Sequence, residues 1–155
     1  MDVATIGVYG FNIEAFLAAL HGADVARVLD VRQRRGVRGS EYAWANSKRL
    51  QAALADAGIE YEHHPELAPT TELRQLQYAE DARQGVGKRS RSNLASEYVE
   101  RYTREILDQV DLSAVVARLP AALLCVERDP EACHRSLVAA RLADDYGLGI
   151  VNLRP

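Results

Sequence analysis

The run Ala122-Leu-Leu-Cys-Val-Glu127, followed at once by Arg128-Asp129-Pro130, decides the fold of this chain. A short apolar run that ends in polar turn residues is typical of a buried β-strand. Proline suits the first position of a helix and aspartate caps it, so Asp129-Pro130 predicts a helix start. We expect this helix to carry Cys133-His134-Arg135 in or just after its first turn and to stop at Gly147. Residues 149–153 predict a further strand, which completes a strand–helix–strand unit.

The same alternation of short apolar runs and helical periods extends over the rest of the chain. Strands are predicted at residues 3–9, 25–31 and 59–63. Helices are predicted at residues 13–21, 46–57, 70–84, 94–109 and 112–118, with Asn12 and either Thr70 or Thr71 as N-caps. The 155 residues contain no repeat and no long linker. We therefore predict one α/β domain over residues 1–155, Rossmann-like, with a mainly parallel sheet and flanking helices.

The composition excludes several classes of protein. Apolar residues make up 48% and charged residues 26%, which is ordinary for a globular chain and excludes disorder over its whole length. The longest apolar run, residues 120–126, is far shorter than the ~20 residues of a membrane span. The first residues lack a basic leader and an apolar core, so no signal peptide is expected. The two cysteines are expected to be thiols in the cytoplasm.

Positive charge is concentrated in two segments, although the net charge is −3. Seven basic residues lie between Arg27 and Arg49, and six lie between Arg83 and Arg104. Such patches could steer a polyanion such as nucleic acid, while the plain alternative is solvated loops and helix faces. Tyr9, Tyr42 and Trp44 could stack on a base near the arginine-rich loop, and packing at the rim of the fold is the alternative.

Polar side chains follow three of the predicted strands at the point where each strand ends. Asp30 and Arg32 close the second strand, Glu66 follows the third, and Glu127 ends the fourth. Because ligands bind at the carboxyl ends of parallel strands, we expect these groups to line a site. Asp30 and Glu127 could act as general base and acid. For Asp30 with Arg32, a buried structural salt bridge is an equal alternative.

The Cys133-His134-Arg135 motif is the sharpest candidate for chemistry. The first turn of a helix attracts anions and lowers the pKa of a thiol, which would make Cys133 a nucleophile and His134 a proton carrier. Arg135, together with Arg32, would hold a phosphate or carboxylate. The alternative is that Cys133 packs in the core and only Arg135 faces a ligand.

A transition metal is a separate hypothesis for the same region. The potential ligands are Cys125, Glu127, Cys133 and His134, with His63 and His64 as possible extras. Their spacing matches no structural zinc pattern. Adjacent side chains on a helix also point about 100° apart, which makes joint ligation by Cys133 and His134 awkward. We therefore predict no cofactor and no metal ligands, and keep the metal as a rival.

The chain resembles the bacterial domain-of-unknown-function family 488 (DUF488). The resemblance rests on Thr5-Ile6-Gly7, Val28-Leu29-Asp30-Val31-Arg32, His64-Pro65-Glu66-Leu67 and, most specifically, the run from Leu124 to Ser136. It implies a compact α/β fold with a Rossmann-like parallel sheet and no known activity. The family's recurrent residues fall here on Asp30, Arg32, Glu66, Glu127, Cys133, His134 and Arg135. The chain departs from the family pattern at Val8-Tyr9, at residues 33–36 and at Ala68.

Three hypotheses for function follow. The first is a hydrolase or transferase that acts on a phosphorylated or nucleic-acid-derived substrate. The second is a module that binds a nucleotide or nucleic acid through the basic segments without catalysis. The third is a metal-responsive or redox-responsive protein that uses Cys125 and Cys133. None of the three involves a membrane.

Overall fold

The central feature of the computed structural model, which describes residues 1–87 and 89–155, is an all-parallel sheet. Among these residues five strands pair in the order β3-β2-β4-β1-β5. Their bounds are β1 (Asp2–Ile6), β2 (Arg27–Asp30), β3 (Glu60–His63), β4 (Ala121–Leu124) and β5 (Gly149–Leu153). The predicted α/β class with a parallel, Rossmann-like sheet is confirmed.

Helices connect the strands and cover the sheet. Their bounds are α1 (Ile13–Gly22), α2 (Ser47–Asp56), α3 (Thr71–Gln84), α4 (Ser96–Glu105), α5 (Ser113–Val116) and α6 (Arg135–Tyr146). Two predicted N-caps are confirmed: Asn12 Oδ1 accepts from the Ala15 amide at 2.8 Å, and Thr70 Oγ1 accepts from the Leu73 amide at 3.2 Å. No helix in the described part of the chain is long and apolar enough to cross a membrane.

The apolar core lies on the sheet, because the central strands are buried on both faces. All four residues of β4 are buried, as are Val3–Ile6 of β1. Phe16 and Leu20 of α1 and Val138 and Leu142 of α6 are also buried in this core. A parallel sheet needs such cover on both sides, so its central strands are nearly continuous apolar runs.

The predicted helix from Pro130 to Gly147 is wrong at its start. Pro130–Ala132 forms one 3-10 turn, Cys133 is extended with φ −139° and ψ 144°, and α6 begins only at Arg135. The Cys133 amide donates to the Pro130 carbonyl at 3.1 Å, which closes the turn after three residues. The aspartate–proline signal therefore starts a short turn and not the long helix. The predicted end of α6 at Gly147, in the left-handed region, is confirmed.

A second difference concerns the predicted helix over residues 94–109. It is divided into α4 and a 3-10 turn at Leu107–Gln109, because Ile106 leaves helical geometry with φ −120° and ψ −64°. Lys88, which belongs to the second basic segment, lies outside the described residues.

Candidate active site

The carboxyl ends of β2 and β4 meet side by side at one edge of the sheet. Asp30 pairs with Leu124 in the parallel register, and the Val31 amide donates to the Leu124 carbonyl at 3.0 Å. The residues that follow, Arg32 on one strand and Cys125 on the other, therefore leave the sheet together. This is the edge at which the sequence predicts a site.

His134 is buried above this edge in one defined orientation. Its Nε2–H donates to the Val31 carbonyl at 2.8 Å, which leaves Nδ1 to face two sulfur atoms. Nδ1 lies 3.6 Å from Cys125 Sγ and 4.0 Å from Cys133 Sγ. The ring also packs against Tyr102, with centroids 5.5 Å apart. The Val31 carbonyl, just after β2, thus fixes which imidazole nitrogen is available for chemistry.

The two cysteines are buried thiols and form no disulfide. Burial opposes ionisation of Cys133, but the hydrogen bond with Cys125, the positive charge of Arg135 and the bond with His134 outweigh it. The pKa of the Cys133 thiol is therefore well below its ordinary value. Burial lowers the pKa of His134, but its hydrogen bonds with Cys133 and with the Val31 carbonyl raise it. The net result is a pKa above the ordinary histidine value. The pair favours a thiolate beside an imidazolium.

Arg135 lies beneath this cluster, with none of its surface exposed. Its guanidinium donates to the Glu127 carbonyl at 2.7 Å and to the Arg128 carbonyl at 3.2 Å. Gly7 allows the close packing, since an ideal Cβ there would overlap the Glu127 carbonyl oxygen. Arg135 does not line the cavity described below; it holds the chain after β4 and places a positive charge near Cys133.

Asp30 and Arg32 form a buried ion pair, with two bonds of 2.8 and 2.9 Å between the side chains. The Tyr61 hydroxyl also donates to Asp30, and Arg32 donates to the Ala45 carbonyl at 3.0 Å. Both carboxylate oxygens of Asp30 therefore have partners. Arg32 reaches the cavity wall, whereas Asp30 lies behind it and positions the guanidinium.

Arg91 links Glu127 to α3. The polar residues at the strand ends do not predict Arg91 as a site residue. Arg91 lies 2.9 Å from Asp81, 3.4 Å from Glu127 and 3.2 Å from the Ala132 carbonyl. The side chains of Arg91, Asp81 and Glu127 are all less than a tenth exposed. Arg91 is one of six basic residues in the second basic segment, and its partners are distant in sequence, so composition alone does not mark it.

A cavity of about 710 Å³ opens above the cluster, and Cys125, Cys133, His134 and Glu127 lie at its floor. Six arginines contribute to its lining: Arg32, Arg34, Arg38, Arg74, Arg89 and Arg91. Tyr9 lies in its wall, where the guanidinium of Arg89 covers the ring at 4.8 Å from the centroid. Glu66 is not part of the lining and bonds His64 at 2.7 Å on the exposed surface.

Three of the possible metal ligands converge in the structure. The ligand atoms of Cys125, Cys133 and His134 all lie within 4.8 Å of one another. The expectation that Cys133 and His134 diverge assumes that both lie on a helix, and that assumption is wrong because Cys133 is extended. Their side chains can therefore point to one place.

The fold and site define an α/β protein with a buried cysteine–histidine cluster under an arginine-lined cavity. The chain belongs to the DUF488 family, a domain of unknown function whose family model matches residues 12–142, which confirms the resemblance seen in the sequence. No curated protein and no solved structure matches the chain.

Proposed function

We propose that the protein is a hydrolase or transferase that acts on a phosphate-bearing substrate derived from a nucleotide or nucleic acid. One observation carries the proposal: Cys133 and His134 lie together at the floor of a cavity whose wall contains six arginines. A nucleophile beside a proton acceptor, within a positively charged pocket, is the arrangement that group transfer from an anion requires.

The reaction begins at the sulfur of Cys133. Nδ1 of His134 takes the thiol proton, because Nε2 is held by the Val31 carbonyl. The thiolate attacks the electrophilic centre and forms a covalent intermediate, while the bond to the leaving group breaks and the leaving group receives the proton from Nδ1. Attack by water then gives hydrolysis, and attack by another acceptor gives transfer. The thiols must remain reduced, as the cytoplasm keeps them.

The cavity wall accounts for the charge of the substrate. Arg34 and Arg38 are exposed, and within the described residues neither has a carboxylate partner. Guanidinium groups match phosphate oxygens through paired hydrogen bonds. Tyr9 and Arg89 both line the cavity, with the guanidinium 4.8 Å from the ring centroid, and each is a flat group on which a base can stack.

The other candidate residues support this centre in the proposal. Glu127 accepts from the Cys125 thiol at 3.7 Å and pairs with Arg91, so its carboxylate lies beside the cysteine–histidine cluster. Asp30 positions Arg32, and Arg135 supports the chain below Cys133. Asp30 and Arg135 therefore act on the reaction indirectly, through the groups that they hold in place.

Ligand stabilisation in wild type and matched variants tests the proposal. We expect phosphate, nucleotides or short oligonucleotides to raise the melting temperature of wild type. The double variant Arg34→Ala/Arg38→Ala should weaken binding about tenfold or more, since each charged hydrogen bond contributes about 1.5–3 kcal/mol. Arg49→Ala, which changes an exposed arginine outside the cavity, is the control. Stabilisation that survives in the double variant contradicts the binding site.

Mass spectrometry tests the nucleophile. With a bound phosphate ester as substrate, we expect a covalent adduct on Cys133 that is absent in Cys133→Ser and retained in Cys125→Ser. An adduct on another residue, or turnover that persists in Cys133→Ser, contradicts the mechanism while leaving the binding site intact.

Nucleic-acid binding without catalysis is the second candidate, favoured by the exposed arginines at the cavity rim. In that case affinity for an oligonucleotide should fall steeply with salt, because phosphate contacts release counterions. Binding should then occur without turnover and without an adduct on Cys133, which separates this candidate from the enzyme.

A further inference from the structure

We propose that Cys125, Cys133 and His134 form a zinc-binding site whose fourth position faces the cavity and Glu127. This metal site goes beyond the proposed function. Hydrolysis or transfer by Cys133 does not require a metal ion on these residues. The metal site stands on the geometry of the three side chains.

The distances match a tetrahedral zinc centre. Zinc–sulfur bonds of about 2.3 Å and zinc–nitrogen bonds of about 2.05 Å at the tetrahedral angle place sulfur and nitrogen about 3.6 Å apart. Cys125 Sγ and His134 Nδ1 are 3.6 Å apart, and Cys133 Sγ and Nδ1 are 4.0 Å apart. The second distance exceeds the expected value by only about 0.4 Å, and all three ligand atoms lie within 4.8 Å of one another.

For the remaining position, a carboxylate oxygen lies next to one of the three ligands. Glu127 Oε2 lies 3.7 Å from Cys125 Sγ, whereas about 3.6 Å separates a thiolate and a carboxylate oxygen on one zinc ion. The other oxygen of Glu127 faces Arg91. Glu127 is not among the residues whose ligand atoms all lie within 4.8 Å of one another, so it can bind the ion only if its carboxylate turns toward the cluster. With Glu127 held by Arg91, a water molecule takes the position on the cavity side.

The surroundings already provide what a metal site needs outside its ligands. A ligating histidine usually donates its second ring N–H to an oxygen, and Nε2 of His134 does so to the Val31 carbonyl. The chain at Cys133 is fixed by Ser136, whose hydroxyl donates to the Cys133 carbonyl at 2.8 Å. All three ligands line the cavity, which gives an ion a path from solvent.

The donor set selects the ion. Two sulfurs and one imidazole favour zinc over magnesium or calcium, which prefer oxygen. As the ion binds, two protons leave for the solvent, one from Cys125 and one from the Cys133–His134 pair, and no atom is oxidised or reduced. A zinc-bound Cys133 sulfur is a weaker nucleophile than the free thiolate, so zinc binding should slow the thiol chemistry proposed above.

Metal titration of reduced, chelator-treated protein is the first test. We expect one zinc ion per chain in competition with a chromophoric chelator. Cobalt in its place should give the strong visible bands of tetrahedral coordination and a thiolate charge-transfer band. Cys125→Ser and Cys133→Ser should each weaken zinc binding about 100-fold or more, since even residues outside the coordination sphere contribute 10- to 100-fold. A wild type that binds no zinc stoichiometrically overturns the proposal.

His64→Gln is the matched control, because His64 lies between two carboxylates, Glu62 and Glu66, and outside the proposed site. Its change should leave affinity and the cobalt spectrum unaltered. Loss of binding in His64→Gln, or binding that persists in both cysteine variants, places the metal elsewhere and contradicts the site.

A thiol-protection experiment on the wild-type protein does not depend on whether the cysteine variants fold. Zinc at one equivalent should protect both cysteines from alkylation, as counted by mass spectrometry, and a chelator should restore labelling. Unprotected cysteines in the zinc-loaded protein contradict the site and leave the nucleophile proposal standing. Protection without any anion binding supports the metal site and contradicts the proposed function, so the two can fail separately.

Discussion

Replacing Arg135 with alanine should destabilise the fold by about 3–4 kcal/mol. The guanidinium is fully buried and donates to the Glu127 and Arg128 carbonyls at 2.7 and 3.2 Å. Hydrogen bonds that involve a charged group contribute about 1.5–3 kcal/mol each, and the second of these bonds is only partly buried, so the sum lies toward the lower end. The Glu127 carbonyl would be left without this donor.

Urea unfolding followed by circular dichroism measures this loss. In a domain of this size, about 3–4 kcal/mol corresponds to a fall in melting temperature of roughly 10 °C. Arg141→Ala is the control on the same helix: its ion pairs with Asp108 and Asp145 are at the surface and contribute at most about 1 kcal/mol. If Arg135→Ala costs no more than Arg141→Ala, the role of Arg135 as a buried support is refuted.

Three further predictions concern the same region. Gly7→Ala should destabilise the fold by about 1–3 kcal/mol in thermal unfolding, because the added Cβ would overlap the Glu127 carbonyl. The control is Gly22→Ala, whose Cβ would contact nothing and whose stability should stay near that of wild type. Arg91→Met leaves two buried carboxylates without their cation and should cost about 3–5 kcal/mol by urea unfolding; a loss under about 1 kcal/mol would contradict the network. In the metal-free protein the pKa of the Cys133 thiol is lowered, so its thiolate persists below the ordinary thiol range and is lost only as pH falls through the lowered pKa. The rate of Cys133 alkylation against pH measures this. A rate that declines already near pH 8.5 contradicts the prediction.

The order and type of the main elements follow from local signals in the sequence. The asparagine at 12 and the threonine at 70 cap helices because their side-chain oxygens reach free amides three residues on. The last strand has the predicted bounds because its apolar residues lie between Gly147 and the polar Arg154-Pro155. Strand order, by contrast, depends on pairings between distant segments, and β4 inserts between β2 and β1.

The candidate site was predictable in composition and only partly in arrangement. Cys133, His134 and Glu127 come together at the strand ends as expected, because parallel strands end at one edge. The extended backbone at Cys133 was not predictable, since Asp129-Pro130 is compatible with both a turn and a long helix. Arg91 could not be paired with Glu127 from sequence, because 36 residues separate them.

The orientation of His134 depends on a carbonyl that every amino acid possesses. Its partner is the main-chain oxygen of Val31, and Arg135 likewise binds main-chain oxygens of Glu127 and Arg128. Substitution at an acceptor position cannot delete the acceptor, whereas substitution of either donor removes the bond. These hydrogen bonds therefore constrain the identity of the donors, His134 and Arg135, and not of the residues that supply the carbonyls. A deep mutational scan should find His134 and Arg135 intolerant, while position 31 accepts other apolar side chains of similar volume.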